Sequence, residues 1–339
     1  MRVLPEGRRA MIFIIILTAM LLLVLFAALY LTSMPGRSHR GEPTPLSPRE
    51  NETSASLRRH VEHLALSIGT RNMEAAGSLE LAAAHIARSL RESGYEPVML
   101  PYKAGGIEVN NVEATLRGTS PDEHEGIVVI GSHYDTVPGT RGANDNASGV
   151  AAVLELARMM RNSPQERTIK FALFVNEEPP WFKTALMGSH VYASSLMEQG
   201  TVVSAMLSLE TIGYYTDEPG SQLYPFPLDL VYPDRGDFIA FVGNVDSRGL
   251  VRRSVRAFRE TVDFPSEGAA VPDFLPGVDW SDHWGFWQNG YPAIMVTDTA
   301  PYRYIHYHTH SDTPDKLDYE RMARVVMGLE GTVRRLASQ

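Results

Sequence analysis

The chain has 339 residues, a net charge of −9 and no cysteine. The acidic balance, with no basic stripe, excludes a general nucleic-acid binder, and disulfides play no part in holding the fold. Its length fits a single large α/β unit once the N-terminal segments are set aside.

Residues 1–9 form an N-terminal flank carrying Arg2, Arg8 and Arg9. From Ala10 to Leu31 the sequence reads AMIFIIILTAMLLLVLFAALYL, and roughly 20 such residues span a bilayer. A cleaved signal peptide has a shorter apolar region, about 7–15 residues, followed by a small-x-small cleavage site; none follows here. Residues 10–31 therefore read as a retained transmembrane anchor. The arginines before the run slightly outweigh Arg37 and Arg40 after it. Positive charge marks the cytoplasmic side, so the rest of the chain is expected in the periplasm or outside the cell. Residues 32–54, rich in Pro, Ser, Gly, Glu and Arg, have the composition of a flexible linker. Residues 55–339 remain as one folded domain.

Two amphipathic helices are predicted to open that domain, in SASLRRHVEHLALSIG and SLELAAAHIARSLRESG. Strand-like segments follow in YEPVMLPYKA, EVNNVEATLRG and GIVVIGSH, the last apolar enough for a buried central strand. Then come a helix in NASGVAAVLELARMMRN, a strand in TIKFALFVN, a helix near GSHVYASSLMEQG and a strand in TVVSAMLSLE. FIAFVGN and YPAIMVTD read as strands, SRGLVRRSVRAFRETV and YERMARVVMGLEGTVRRLA as helices. Alternating strands and helices predict an α/β three-layer sandwich, with a mixed, mostly parallel central sheet and helices on both faces. The early strands, with no helix between them, predict an antiparallel part. In such folds the loops at the carboxyl ends of the strands build the site.

Metal-ligand residue types recur in order at those ends. His133 and Asp135 lie two apart in GSHYDTV, on one side of an extended segment. His133 can bind a metal while Asp135 accepts its other ring N–H. Asp145, in GANDNASGV, suits either a helix N-cap or a carboxylate bridging two metals; Asn146 or Ser148 can cap instead. Glu177 and Glu178 end an apolar strand, where two adjacent carboxylates need a positive partner. Glu178 is the candidate ligand and Glu177 the candidate proton shuttle. Glu210 ends another apolar strand and His308 sits among His306 and His310. Two histidines and three carboxylates can hold a metal pair, with one further glutamate as base: the inventory for metal-assisted amide hydrolysis. Asp282 and His283, among aromatics, read as structural. Trp181, Tyr214, Trp284 and Tyr307 are candidate pocket walls. The long Pro- and Gly-rich segment Tyr215–Asp237 is expected to roof the pocket.

The fragments SHYDT, GANDNASGV, NEE, MGS, ETIGY, SDHWGFW, GYPAIMVTDT and YHTHSDTPDKLD stand in one order. Over about residues 60 to 339 the chain resembles the di-zinc aminopeptidase family related to bacterial leucyl aminopeptidase, which also includes glutamate carboxypeptidase and glutaminyl cyclase. The resemblance implies a zinc metallopeptidase catalytic domain over residues 55–339, with two zinc ions per chain and a peptide substrate. One ion would be held by His133, Asp145 and Glu210, the other by Asp145, Glu178 and His308. Glu177 would be the general base, then the acid, and Asp135 would support His133. It also implies a non-proline cis peptide after Asp145. The family usually carries Asp where this chain has Glu210. A glutaminyl cyclase-like acyltransferase, a non-catalytic ectodomain, a carboxypeptidase and an amidase are the other functions this scaffold allows.

Overall fold

The computed structural model describes residues 6–42, 44–120, 126–163 and 165–338. Arg2, counted above in the charge comparison, lies outside them. The chain opens with helix α1 (Glu6–Thr32), whose apolar stretch Ala10–Thr32 is long enough to cross a membrane and is not buried by the rest of the protein. Next come α2 (Pro48–Glu62), α3 (Ser78–Glu92), β1 (Val98–Ala104), β2 (Ile107–Leu116), β3 (Ile127–His133), α4 (Gly149–Met160) and β4 (Ile169–Phe174). The second half contains α5 (Gly188–Glu198), β5 (Val203–Glu210), β6 (Ile239–Gly243), α6 (Arg248–Thr261), β7 (Ser266–Ala270), α7 (His283–Gln288), β8 (Ala293–Thr297), α8 (Ala300–Arg303) and α9 (Tyr319–Ala337).

The eight strands form one sheet in the order β1-β2-β4-β3-β5-β8-β6-β7. β3 alternates its side chains between the two faces. Val128 and Ile130 join the large core beneath α2, α3, α4, α6 and α9, while Val129 joins Tyr192, Leu196 and Phe286 of α5 and α7 on the other face. The three-layer α/β sandwich expected from the sequence is therefore present. The centre is parallel (β4-β3-β5-β8), and β1-β2-β4 is the antiparallel part. The sequence did not foretell that β6 runs antiparallel to β8. The chain passes from β5 to β6 through the 215–237 loop, with no crossover helix to return it parallel. β7, SEGAA, lacks the β-branched residues that mark a strand and is an edge strand recognisable only by its pairing with β6.

Within residues 32–54, whose composition suggests a linker, several of the described residues hydrogen-bond to the rest of the chain. Ser47 caps α2 in a capping box with Glu50, so that helix begins at Pro48. Upstream, Arg259 Nη1 donates to Pro35 O at 3.0 Å, Ser266 N–H donates to Ser38 Oγ at 2.9 Å, and Arg324 donates to Thr44 O. Composition registers the missing apolar side chains, but not the backbone carbonyls that arginines elsewhere in the chain can bind.

Candidate metal centre

The carboxyl ends of β3, β4 and β5 bring the candidate residues to one place. His133 is the last residue of β3 and Glu210 the last of β5; Glu177 and Glu178 follow β4. Asp145 lies on the tight turn 143–148 ahead of α4. That turn needs Gly142, whose φ is +57° and where a Cβ would come within 2.3 Å of Asp145 O. The Asp145–Asn146 peptide is cis. Asn146 Oδ1 accepts the N–H groups of Gly149 and Thr211, both at 3.1 Å, and so takes the capping work that leaves the Asp145 carboxylate free. Asn176, Thr211 and His308, beside or among the candidates, have φ of 60°, 47° and 55°, in the left-handed region that non-glycine residues seldom adopt.

Two triads converge. His133, Asp145 and Glu210 offer one set of ligand atoms; Asp145, Glu178 and His308 offer another. His133 Nε2 is 3.4 Å from Asp145 Oδ1 and 3.2 Å from Glu210 Oε2. His308 Nε2 is 3.0 Å from Asp145 Oδ2 and 3.5 Å from Glu178 Oε2. None of these pairs is aligned as a hydrogen bond, and the buried Asp145 Oδ2 and Glu178 Oε1 have no hydrogen-bond partner. Ligands about 2.0–2.1 Å from a tetrahedral zinc stand about 3.3 Å from one another. The donor set, its spacing and its orphaned oxygens fit two zinc ions sharing Asp145. The longer Glu210 side chain still reaches: Ser281 Oγ donates to its Oε2 at 2.7 Å, and Asn146 Nδ2 donates to the same atom at 3.3 Å.

The electrostatics point the same way. Burial, with neighbouring carboxylates, pushes the carboxyls of Glu177 and Glu178 well above the ordinary range, and burial raises that of Glu210. Burial also opposes ionisation of Asp145, but the His133 and His308 imidazoles close to it outweigh this and hold that carboxyl well below its usual range. Burial lowers the His133 imidazole's affinity for a proton; Glu210 and Glu177 overcome this and raise it well above normal. This much buried negative charge is compatible with folding only beside cations.

Asp135 does something the sequence did not show. His133 Nδ1–H donates to the backbone carbonyl of Asp135 at 3.2 Å, with its carboxylate 3.5 Å away. That carboxylate accepts the backbone N–H of Glu177 on Oδ1 and of Glu178 on Oδ2, both at 3.1 Å. It fixes the paired glutamates as well as flanking the histidine. Glu177 Oε2 lies 3.9 Å from His133 Nε2, next to both triads.

Three supporting residues were missed. Asp312 accepts the N–H groups of Asn144 and Asp145 at 2.8 and 3.1 Å and the Tyr304 hydroxyl at 2.9 Å. Asp298 accepts Asn144 Nδ2 at 2.9 Å and Tyr214 N–H at 2.8 Å. Arg71, fully buried, donates to five backbone carbonyls, including Gly142 O at 2.8 Å. The only local signal was that Asp298 and Asp312 fall within the strings VTDT and HSDTP. Asp282 and His283 are buried but not paired with each other. His283 Nε2 donates to Val278 O at 2.8 Å, while both Asp282 oxygens lack a hydrogen-bond partner and burial raises its pKa to about 7.

A largely apolar cleft opens beside Glu210. Of the four aromatics considered as walls, only Tyr307 lines it. Trp181 packs on the core, Tyr214 against Tyr304, and Trp284 against His190. The 215–237 segment supplies Gln222, Tyr224, Pro225, Leu228 and Tyr232 to the wall, as its length and aromatics suggested.

Residues 111–331 match the family model described as peptidase family M28. YfbL, an uncharacterized protein of Escherichia coli K12, is 36% identical over 94% of this chain and 95% of its own length. A probable leucine aminopeptidase 1 of Trichophyton verrucosum is 29% identical over 67% of this chain; the match spans 58% of that longer protein. Among solved structures, BSAP, a zinc aminopeptidase from Bacillus subtilis, aligns with a TM-score of 0.66 over 84% of this chain and 95% of its own, at 16% identity, a likeness of fold.

Proposed function

Since this chain belongs to peptidase family M28, we propose that it is a membrane-anchored, zinc-dependent aminopeptidase that removes N-terminal residues from peptides. The observation that carries this is the spacing of the two triads: four ligand-to-ligand distances of 3.0 to 3.5 Å, with no hydrogen bond between the atoms. The names of the fungal and Bacillus proteins favour the same activity.

His133, Asp145 and Glu210 would hold one zinc, and Asp145, Glu178 and His308 the other. Bound there, the ions supply Lewis-acid polarisation of a peptide carbonyl and lower the pKa of water. Glu177 is the proton carrier. Burial raises its proton affinity, which suits a base that takes a proton from the attacking water at Oε2 and returns it to the leaving amine. Asp135 keeps Glu177 and Glu178 in register through their backbone N–H groups. The cleft beside Glu210, walled by Leu228, Phe238, Val271, Val278 and Met295, suits a bulky apolar side chain of the residue being removed.

In this reading residues 1–9 are a cytoplasmic flank, residues 10–31 cross the membrane, and residues 32–54 connect to a catalytic domain over residues 55–339 on the periplasmic or extracellular side. The apolar run Ala10–Thr32 supports the anchor.

The test is elemental analysis of the full chain in detergent, alongside a panel of peptides. Close to two zincs per chain, with chelator-sensitive release of N-terminal residues, is the expected result. Ammonia from N-terminal Gln peptides without shortening would make it a cyclase, and no metal with no turnover a binding ectodomain.

A further inference from the structure

The apolar helix does not end free of the body. Arg248, the first residue of α6, lays its guanidinium 3.6 Å over the Tyr30 ring and donates from Nε to Tyr30 O at 2.9 Å. Arg252, one turn on, donates to Ser33 O. Leu31 packs against a cluster of Ala269, Val271 and Val278 that also takes in Leu228, Tyr232 and Leu275. Met34 closes over Gly268, where a Cβ would meet Met34 Cγ at 2.9 Å. The foot of α1 is thereby fixed against β7 and against two loops, around residues 225–232 and 272–278.

Those loops carry large apolar side chains in solvent next to the residues that touch the helix. Phe226 is 77% exposed and Leu230 75%, on either side of Leu228; Phe274, beside Leu275, is 80% exposed. Exposed aromatic and aliphatic side chains grouped at the end of an apolar span match what the boundary between headgroups and acyl chains accepts. The two arginines at the same level suit anionic headgroups.

We propose that the turn carrying Phe226 and Leu230 and the loop carrying Phe274 embed in the surface of the bilayer that α1 crosses. The occupant of this face is lipid, because the face is continuous with the helix that the lipid already surrounds. The proposal rests on reading α1 as a membrane span. It also deepens the functional reading. The same two loops wall the cleft beside Glu210, through Tyr224, Pro225 and Leu228 from one and Pro276 and Gly277 from the other. Embedding them holds the cleft at the membrane surface, where peptides with an apolar or lipid-partitioned N-terminus concentrate.

The chain has no cysteine, so single cysteines can carry an environment-sensitive fluorophore without background. The full chain is reconstituted in phosphatidylcholine–phosphatidylglycerol vesicles with the label at Phe226→Cys, Phe274→Cys, Leu21→Cys within α1, or Leu81→Cys. Leu81 is exposed on α3, which packs on β2 at the far end of the sheet from β7. Lipids bearing a nitroxide high on the acyl chain are expected to quench the labels at 226 and 274 roughly twofold or more, since interfacial side chains lie about 5–10 Å into that boundary. The label at 81 should be untouched. The label at 21, mid-span, is read with a nitroxide near the end of the acyl chain, and quenching there with none at 226 or 274 leaves the span standing and overturns the docking face. No quenching at 21, 226 or 274 overturns both. A change at 226 and 274 that lipid nitroxides do not quench, and that vanishes when the protein is diluted in lipid, assigns the face to a second copy and also overturns the proposal.

Discussion

The carboxylate of Asp312 accepts the backbone N–H of Asp145 at 3.1 Å and that of the preceding residue at 2.8 Å. One buried acid thus sets the position of another. The Asp145 carboxylate, proposed to be shared by both ions, sits on a turn with no regular helical bonding of its own at that point, and Asp312 supplies acceptors from 167 residues away in sequence. Partners that orient a ligand in this way typically cost 10–100-fold in metal affinity or activity when removed, on the order of 1–3 kcal/mol. Asp312→Asn places an amide N–H against one of those donors. It is expected to lower zinc affinity by about that factor, read by competition with a chromophoric chelator.

Glu177→Gln removes the proposed proton carrier and leaves the residues of both triads in place. Zinc content should match the parent chain, while kcat falls by about 10²–10⁴, the usual worth of general acid–base catalysis. Parallel elemental analysis and steady-state kinetics check this; parental turnover in the variant removes Glu177 from the mechanism.

Arg71 binds five carbonyls with one guanidinium, at 2.7 to 3.2 Å. Desolvation lowers its pKa to about 10, so it stays charged, with Asp312, Asp135 and Asp145 favouring that charge. Arg71→Met leaves those carbonyls buried without donors, each such loss costing about 1–3 kcal/mol. Partial relaxation brings the expected total to about 3–5 kcal/mol, measured by urea unfolding of the metal-loaded protein. Arg71→Lys should recover only part of this, because an ammonium has three donors and no planar fork.

The histidines where α2 and the turn after it meet α3 give a pH dependence. His60 Nδ1 and His85 Nε2 are 3.2 Å apart, and His63 stacks on His85 at 4.1 Å, with Arg88 beside them. Burial, reinforced by His63 and His60, lowers the pKa of His85 to about 3. In the unfolded chain an imidazole takes up its proton near 6.5. Protons therefore favour the unfolded state below that value: this group's contribution is full above pH 6.5 and is lost as pH falls toward 3. His85→Leu should flatten that slope by about 1 kcal/mol at pH 5, after discounting for partial exposure. Unfolding free energies at pH 7 and pH 5 decide it.

Reading residues 10–31 as an anchor, with the rest of the chain outside the cytoplasm, makes a cellular prediction. A protease added outside intact cells, or to the periplasm of permeabilised ones, should reach the domain beyond residue 54 while the cytoplasmic flank is spared. Digestion only after lysis reverses the orientation.

The sequence by itself marked the candidate ligands that the fold brings together, and the reason is local. His133 and Glu210 each end an apolar strand and Glu177 with Glu178 follow one closely, where a charge is costly without a partner, so each stands out against its neighbours. The apolar N-terminal helix and the alternation of strands and helices were legible for the same reason: their signals are local in sequence. Tertiary structure alone decided which residues support the site. Arg71, Asp298 and Asp312 act through hydrogen bonds to segments about 60 to 170 residues away, and no pattern within a window of sequence encodes such partners. It also decided that Ser33, Pro35, Ser38 and Thr44 hydrogen-bond to the body, and that Phe226 and Phe274 stand in solvent beside the end of α1. Whether a given phenylalanine is core or surface depends on what the rest of the chain brings against it.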